Sequence, residues 1–384
     1  MIKEVIKTIK TISEKVKSIQ PSATLAISAK AKELAAKGKP VINMGVGEPD
    51  FKTPEHIIRA AEKAMREGKT FYTPAKGIPE LIDAIVELYK KLDISAENVI
   101  VTPGAKYAIF EAIMTVVDSG DEVILLDPSW VSYEPCIRVA GGKVVWVPHS
   151  EGFDDAPIEE YVTNKTKLIV INSPSNPLGT IYPEEFLKKV RDIAIDEDIL
   201  VLSDEIYDRI VFEGKFRSIA ELDGMLERTI VVNGFSKTYA MTGWRLGYAI
   251  AREDIVKYMV RLQSHSVSHP TSFVQYAGVE AIKGDQKCVE EMVKEFKERR
   301  DLMVNRIKEI GLEFAPPRGA FYMFVNVEKD SMEFCEEFLK EKFVAATPGK
   351  AFGKSYDTWI RLSYATNKEN IEEAMRRLSE FIKS

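Results

Sequence analysis

The sequence predicts an α/β protein. Its large domain holds a mostly parallel seven-stranded sheet, with one antiparallel strand, sandwiched by helices, and a smaller α/β domain comes from both ends of the chain. Three observations lead to this prediction. Seven short β-rich runs are mostly followed by helical segments. Four of these runs are continuously apolar, which is typical of strands covered on both faces. The pattern then changes after Ser272, and 384 residues exceed one ordinary core.

The predicted strands of the large sheet lie between residues 98 and 251. They are contained in the runs NVIVTPG, EVILLDP, KVVWVP, KLIVINSP, ILVLSDEIY, TIVVN and GWRLGYAIA. Only nine residues separate TIVVN (Thr229–Asn233) from GWRLGYAIA (Gly243–Ala251), whereas a parallel crossover needs about a dozen or more. The last strand is therefore expected to be antiparallel to the one before it, or to lie elsewhere in the sheet.

The chain after Ser272 is predicted to form a second domain. A long charged helix is expected from about Phe273 to Ile310, loosened at Gly284 and ended by Gly311. Strand-like GAFYMFVNV and TWIRLSYA then alternate with helical SMEFCEEFLKEK and KENIEEAMRRLSEFI. The predicted division is an N-terminal segment, 1–49, that packs with the small domain, a large domain, 50–289, and a small domain, 290–384.

Composition and charge exclude several classes of function. The net charge is −6 with both signs mixed along the chain, so no nucleic-acid partner is predicted. The sequence has no run of 18 apolar residues, so no membrane span is predicted. Three scattered cysteines favour the cytoplasm, and the four histidines form no metal-binding pattern. The first 19 residues have apolar side chains at helical spacing, which indicates a packing helix rather than a signal peptide.

Polar residues follow one predicted strand after another. In open α/β sheets, ligands bind at the carboxyl ends of the strands. The residues that stand there are Gly104, Ala105, Lys106, Trp130, Asn176, Asp204, Tyr207, Ser236 and Lys237. Each has an ordinary explanation when taken alone: Asp204 as a helix cap, Trp130 as core and Lys237 as a surface lysine. Their common position favours a binding site.

The chemistry of this set suits pyridoxal phosphate. Helix N-terminal N–H groups at Gly104 and Ala105, with Arg245 as a cation, would bind the phosphate. Lys237 would form a Schiff base with the aldehyde. Asp204 would hold the pyridine nitrogen protonated, so that the ring acts as an electron sink.

The cofactor ring needs further partners. Its phenolic oxygen takes hydrogen-bond donors, which Asn176 and Tyr207 supply, and its flat face takes an aromatic neighbour, which Trp130 supplies. Asn176 also suits a turn in its segment NPLG. The functional interpretation therefore depends on all of these residues meeting at one edge of the sheet.

Nine segments carry a family resemblance over almost the whole chain. They are PSATLAISAKAKEL, GVGEPDFKTPEHI, YTPAKGIPEL, PSWVSY, NSPSNPLGT, SDEIYD, GFSKTYAMTGWRLGY, GAFYMF and IRLSYAT. On these segments the chain resembles the class I aminotransferases of fold type I, in the subgroup of prokaryotic aspartate aminotransferases. The resemblance implies an enzyme that moves an amino group from an L-amino acid, aspartate first, to 2-oxoglutarate by a ping-pong mechanism.

The resemblance also implies a role for each site residue. Lys237 carries the cofactor and then acts as general base, with Asp204 and Tyr207 as its catalytic partners. The residues implied to bind the cofactor are Gly104, Ala105, Trp130, Asn176, Asp204, Tyr207, Ser236, Lys237 and Arg245, joined by Tyr72 from the neighbouring subunit of a homodimer. The chain departs from the family at Gly234, where a second phosphate-binding serine is usual.

Substrate contacts are implied in the same way, at Gly47, Lys106, Trp130, Asn176 and Arg361. Arg361 would clamp the α-carboxylate as a bidentate fork. Lys106 would bind the distal carboxylate of aspartate or glutamate, although a solvated lysine in a first helical turn is the ordinary alternative. Gln20 stands where relatives that also transaminate prephenate have a lysine, which argues against strong activity on prephenate.

Three alternatives remain open at this point. The same scaffold could prefer alanine or aromatic amino acids, or catalyse a β-elimination. A non-catalytic, cofactor-sensing domain would require a DNA-binding region that the sequence does not contain. A nicotinamide oxidoreductase would require GxGxxG after a first strand, and GVGEPDF lacks the third glycine.

Overall fold

The computed structural model describes residues 12–17, 19 and 23–383. The α-helices of this part are α1 (Glu14–Lys17), α2 (Ala23–Ala36), α3 (Glu55–Arg66), α4 (Pro79–Leu88), α5 (Ala105–Val116), α6 (Tyr133–Ala140), α7 (Glu184–Asp196), α8 (Glu253–Ser266), α9 (Ser272–Lys283), α10 (Lys287–Ile310), α11 (Ser331–Lys342) and α12 (Lys368–Lys383). The strands are β1 (Ile42–Asn43), β2 (Val99–Thr102), β3 (Glu122–Asp127), β4 (Lys143–Pro148), β5 (Thr166–Asn172), β6 (Leu200–Asp204), β7 (Thr229–Gly234), β8 (Gly247–Ile250), β9 (Tyr322–Asn326), β10 (Val344–Ala345), β11 (Thr347–Pro348) and β12 (Trp359–Ser363). Gln20 and most of the predicted N-terminal helix lie outside the described residues.

The large sheet has seven strands in the order β2-β8-β7-β6-β5-β3-β4. Strand β8 is antiparallel to both of its neighbours, β7 and β2. The pairs formed by β3 with β4, β3 with β5, β5 with β6, and β6 with β7 are all parallel. The prediction of a mostly parallel sheet with one reversed strand is therefore confirmed, and each of the seven predicted runs overlaps one of these strands.

Helices cover both faces of this sheet. In β3, Val123 and Leu125 pack into one buried cluster together with residues of α5, α6 and α8. Their neighbours Ile124 and Leu126 pack into another cluster, with α7. Successive side chains of a strand point to opposite faces, so the continuously apolar sequence of β3 follows from burial on both sides. No helix in the described residues is long and apolar enough to span a membrane.

A smaller α/β region is built from both ends of the chain, as predicted. Strands β11, β12 and β9 form an antiparallel sheet. Strand β1, near residue 42, pairs in parallel with β10, near residue 344. Helix α2 packs on β10 and β11, and α11 and α12 pack on each other. The proposed boundaries at residues 49 and 289 stay a prediction; α10 begins at Lys287 and continues across the second of them.

The prediction of a single long helix from about Phe273 to Ile310 is wrong, because α9 ends at Lys283 and α10 begins at Lys287. Gly284 adopts an extended backbone rather than a helical one. The side-chain amide of Gln286 donates hydrogen bonds to the carbonyls of Ala281 and Gly284, each at 2.9 Å. These bonds satisfy carbonyls that a continuous helix would have paired, which stabilises the break.

Glu111 is a fully buried carboxyl group in the middle of α5. Neither of its oxygens has a hydrogen-bond partner among the described residues. Burial raises its pKa from 4.5 to about 8, so the folded protein holds this group protonated at neutral pH. In the unfolded chain the same group ionises near its ordinary pKa, and folding above that pH requires the uptake of a proton.

We predict that Glu111→Gln raises the melting temperature in a pH-dependent way. The free energy of unfolding of the native protein should fall by about 1.4 kcal/mol per pH unit between the unfolded and folded pKa values of Glu111. The advantage of the variant should therefore be small at pH 4.5 and largest at pH 8 and above. Exposed Glu62, on α3, provides the control Glu62→Gln. Equal effects of both substitutions at every pH would contradict the assignment.

Candidate active site

A cavity of about 390 Å³ opens at the carboxyl ends of β5, β6 and β7. Its walls include Asn172 and Asp204, the last residues of β5 and β6. Eleven of the thirteen predicted site residues line it: Gly47, Ala105, Lys106, Trp130, Asn176, Asp204, Tyr207, Ser236, Lys237, Arg245 and Arg361. The fold thus brings together residues that are more than 300 positions apart in the chain, Gly47 and Arg361.

Lys237 lies in the loop between β7 and β8, and its amine donates a hydrogen bond of 2.6 Å to the carbonyl of Gly47. Burial lowers its pKa from 10.5 to about 8. The carboxylate of Glu48 opposes this shift, whereas the positive charges of Arg361 and Arg245 add to it. A substantial fraction of the amine is therefore neutral, and nucleophilic, near pH 8.

Asp204 is buried at the end of β6 and takes its hydrogen bonds from inside the protein. The hydroxyl of Tyr133 donates to its Oδ2 at 2.6 Å, and the N–H of Ile206 donates to its Oδ1 at 3.3 Å. Burial raises the pKa of Asp204 to about 6, although the bond from Tyr133 opposes the shift. The carboxyl group faces a cavity in which a cation would stabilise its ionised form.

Arg361, from β12, is 4 % exposed and spans the cavity between three parts of the chain. Its Nη1 donates to Asn176 Oδ1 at 2.9 Å. Its Nη2 donates to the carbonyl of Gly45 at 2.8 Å and to Thr347 Oγ1 at 3.3 Å. Its Nε is buried and has no partner among the described residues. The guanidinium thus keeps an unused donor in a site lined for a ligand.

Two tyrosines lie beside Arg361. The hydroxyls of Tyr207 and Tyr322 are 2.9 Å apart, and the guanidinium lies 4.5 Å from the centroid of the Tyr322 ring. Burial raises the pKa of both tyrosines, so both are neutral hydrogen-bonding groups. This pair links the strand end of β6 to β9 of the smaller sheet.

Arg245 and the start of α5 form a second cationic region. Arg245 Nη1 donates to the carbonyl of Thr242 at 2.8 Å. Gly104 has a φ of 90°, and a Cβ built on it would lie only 2.5 Å from Arg245 Nη2. Only glycine therefore lets the guanidinium lie against the backbone where α5 begins. Gly104 itself does not line the cavity, but its neighbour Ala105 does.

Trp130 and Lys106 lie together on one wall of the cavity. The Lys106 amine is 4.9 Å from the centroid of the Trp130 ring, a cation–π distance. The Trp130 ring in turn meets Tyr133 edge-on, with centroids 5.2 Å apart. Since Tyr133 also donates to Asp204, one tyrosine fixes both the aromatic wall and the buried carboxyl group.

Tyr72 lies outside this cavity. Its side chain is 91 % exposed, and its ring meets His269 edge-on at 5.5 Å between centroids. The segment that carries it is held firmly, because Gln263 donates to the carbonyl of Ala75 and Gln275 donates to Thr73 Oγ1. That Tyr72 contacts the cofactor of a neighbouring subunit stays a prediction.

Sequence reasoning missed several residues of the site. The additional lining residues are Ser28, Lys32, Gly45, Val46, Glu48, Ile109, Val131, Asn172, Ile206, Thr242 and Tyr322. Glu48 and Tyr322 stand inside the family motifs GVGEPDF and GAFYMF, so the motifs offered a signal for them. Lys32 and Tyr133 also stand inside family segments, PSATLAISAKAKEL and PSWVSY, but no strand end gave them a role; Tyr133 contacts Asp204 from behind the lining. No cluster of metal-ligating side chains occurs in the described residues.

Comparisons with known proteins agree with this geometry. Residues 39–378 match the family model "Aminotransferase class I and II". The chain is 44% identical to the aspartate aminotransferase of Bacillus subtilis, covering 97% of this chain and 98% of that protein. It is 41% identical to aromatic-amino-acid aminotransferase 2 of Thermococcus litoralis, covering 97% and 98%.

A solved structure is similar over the same length. The aspartate aminotransferase of Thermus thermophilus with maleate superposes with a TM-score of 0.94 at 38% identity, covering 97% of this chain and all of that one. The match therefore extends over both sheets and the cavity between them. The family match covers most of the sequence, and the identity to full-length relatives exceeds 40%. This chain belongs to the class I and II aminotransferase family.

Proposed function

We propose that this aminotransferase moves the amino group of L-aspartate to 2-oxoglutarate by a ping-pong mechanism with pyridoxal phosphate. The observation that carries the proposal is the single cavity in which Lys237, Asp204, Lys106 and Arg361 meet. An amine of lowered pKa, a buried carboxylate and two separate cations match a linked cofactor and a dicarboxylic substrate. We also propose the domain boundaries at residues 49 and 289 and a cytoplasmic location for the enzyme.

The anionic end of the cofactor fits the region around Arg245. The bare backbone at Gly104 leaves room for the guanidinium at the start of α5. Backbone N–H groups in the first turn of a helix lack intrahelical partners and favour an anion. Ser236 and Ala105 line the cavity here and would complete the phosphate site with Arg245.

The ring of the cofactor fits the adjacent wall. Asp204 would hold the ring nitrogen protonated, and the Tyr133 hydroxyl keeps the carboxylate oriented. Trp130 would cover one face of the ring. Tyr207 and Asn176 would hold the ring hydroxyl; the Asn176 side-chain oxygen already accepts from Arg361, so its NH₂ group remains for this bond.

When bound, pyridoxal phosphate supplies an aldehyde that links to amines and a ring that accepts electron density from the substrate Cα. Lys237 would hold the cofactor covalently and, once the substrate amine has replaced it, would remove the proton from Cα. The lowered pKa of Lys237 favours both roles, because both need a neutral amine. The hydrogen bond to Gly47 keeps this amine at the cavity wall.

The two carboxylates of the substrate would face different cations. Arg361, whose buried Nε has no partner among the described residues, would bind the α-carboxylate as a fork through two of its N–H groups. Gly47 lines the cavity and lets the substrate approach the backbone. Lys106, held over Trp130, would bind the distal carboxylate. Since the oxo acid carries the same two carboxylates, it would use the same contacts in the second half-reaction.

A homodimer with shared sites accounts for the position of Tyr72. Phe71 and Tyr72, 81 % and 91 % exposed, stand side by side on a firmly held segment, and such an exposed aromatic pair favours an interface. We propose that Tyr72 completes the phosphate site of a second subunit.

A second candidate is an aminotransferase that prefers aromatic amino acids, favoured by the similarity to the Thermococcus litoralis protein. A panel of donors, aspartate, alanine and phenylalanine, with 2-oxoglutarate as acceptor, separates the two candidates. We expect the highest kcat/KM with aspartate, and parallel lines in double-reciprocal plots because the mechanism is ping-pong. A preference for phenylalanine would replace it with the second candidate.

The pH dependence of cofactor capture tests the state of Lys237. The rate at which the apoenzyme captures pyridoxal phosphate covalently should rise with pH around a midpoint near 8, not near 10.5, since only the neutral amine attacks. Glu48→Gln should move this midpoint lower, because Glu48 raises the pKa of Lys237. Lys237→Ala should capture no cofactor. A midpoint near that of an ordinary lysine would contradict the assignment.

Lys106→Ala tests the distal carboxylate contact. We expect kcat/KM for aspartate to fall about tenfold or more, since a charge–charge contact is lost in a partly desolvated site, while turnover of alanine changes little. Lys308→Ala, at an exposed position of α10, is the charge-matched control. Unchanged use of aspartate by a folded Lys106→Ala enzyme would remove Lys106 from the substrate site.

Hybrid dimers test the sharing of sites through Tyr72. Tyr72→Ala and Lys237→Ala subunits are co-expressed and assayed at limiting pyridoxal phosphate. If sites are shared, a hybrid dimer holds one site that is intact in both residues, so random mixing should restore about one quarter of native activity. Mixing the two purified homodimers without subunit exchange is the control. Activity no higher than the mean of the parents would exclude sharing.

A further inference from the structure

The cavity is lined by more cationic side chains than the proposed contacts to the cofactor and to the α-carboxylate of the substrate require. Its lining holds the cations Lys32, Lys106, Lys237, Arg245 and Arg361 but only the carboxylates Glu48 and Asp204. In the proposed function, Lys237 holds the cofactor, Arg245 faces the phosphate and Arg361 faces the α-carboxylate. Lys106 and Lys32 are left to meet the remaining anionic group of a ligand.

Lys32 reaches the cavity from a wall of its own, helix α2. Ser28 and Lys32 are one helical turn apart, so they share a face of α2, and both line the cavity. An adjacent face of the helix is anchored, because Ala31 packs with Leu339 and Ala345 of the smaller α/β region. The position of Lys32 is therefore set by a packed helix and not by a loose chain end.

Lys32 is exposed at the edge of the cavity, and its side-chain amine has no ion pair or hydrogen bond with any described residue. Glu33, its neighbour in the chain, pairs with Lys37, and Glu48, in the cavity lining, accepts a hydrogen bond from Thr242 at 2.9 Å rather than from Lys32. A cation left without a partner at a ligand cavity favours an anionic ligand.

We propose that Lys32 is a specificity-determining residue, which contacts the distal carboxylate of dicarboxylic substrates from the side of α2 while Lys106 contacts it from the side of α5. This proposal rests on the proposed function. A substrate such as alanine, with an uncharged side chain, leaves both lysines without an anion, whereas aspartate or glutamate supplies one. The cavity thus selects the charge of the substrate side chain from two walls at once.

Kinetics of three variants test the role of Lys32. For the holoenzyme, kcat/KM is measured with aspartate, glutamate and alanine as donors. Lys32→Met should lower the preference for aspartate over alanine about five- to tenfold, mainly through KM, because one charge–charge contact is lost. Lys32→Arg should retain most of the preference. Raising the ionic strength should reduce the difference between native enzyme and Lys32→Met.

Lys30→Met is the matched control. Lys30 stands on the same helix, is exposed and does not line the cavity, so its loss changes the net charge equally but should leave the preference unchanged. Equal effects of Lys30→Met and Lys32→Met, or no effect of Lys32→Met beside a clear effect of Lys106→Ala, would overturn the role of Lys32 alone. A native enzyme without any preference for dicarboxylic donors would overturn both this inference and the proposed function.

Discussion

The buried guanidinium of Arg361 is the interaction on which the arrangement of the cavity depends. A charge taken out of water is costly unless hydrogen bonds replace its hydration. The partners of Arg361 come from Asn176, beyond β5 of the large sheet, from Gly45, beyond β1, and from Thr347, in β11. Satisfying this one charge therefore requires the large sheet, the N-terminal segment and the smaller sheet to meet at one point.

The segment after β1 extends the same constraint to the loop between β7 and β8. The carbonyl of Gly47 accepts from Lys237, and Thr53 donates to the carbonyl of Ala240 at 2.7 Å. The indole of Trp244 donates to Thr53 at 3.0 Å. Because these bonds join backbone and side chains of both segments, the lysine is positioned by the same segment that contacts Arg361. Geometry around the amine is thus coupled to the docking of the two sheets.

Much of this arrangement was predictable because it follows from strand ends. Apolar runs mark the strands, and the carboxyl edge of a parallel sheet collects whatever follows them, as Asp204 and Lys237 illustrate. Contacts between distant elements were not predictable in this way. Tyr133 reaches Asp204 from within α6, and Lys32 reaches the cavity from α2. Helical spacing identifies which face of a helix is apolar but not which cavity its polar face meets. The prediction of one continuous helix through Gly284 failed for a similar reason, because the break there depends on a hydrogen bond from the side chain of Gln286.

Electrostatics connects binding to reactivity in this cavity. The cations that would attract the anionic groups of cofactor and substrate also lower the pKa of Lys237, in addition to the larger effect of its burial. They therefore increase the fraction of neutral amine while the site awaits its ligands. A carboxylate bound at Arg361 would offset the positive charge nearest to the amine and raise the affinity of the amine for a proton. The base would then become stronger when the substrate whose proton it removes is in place. The carboxylate of Glu48 raises the pKa of Lys237. It therefore limits how far the cations lower the basicity of the amine before the substrate binds.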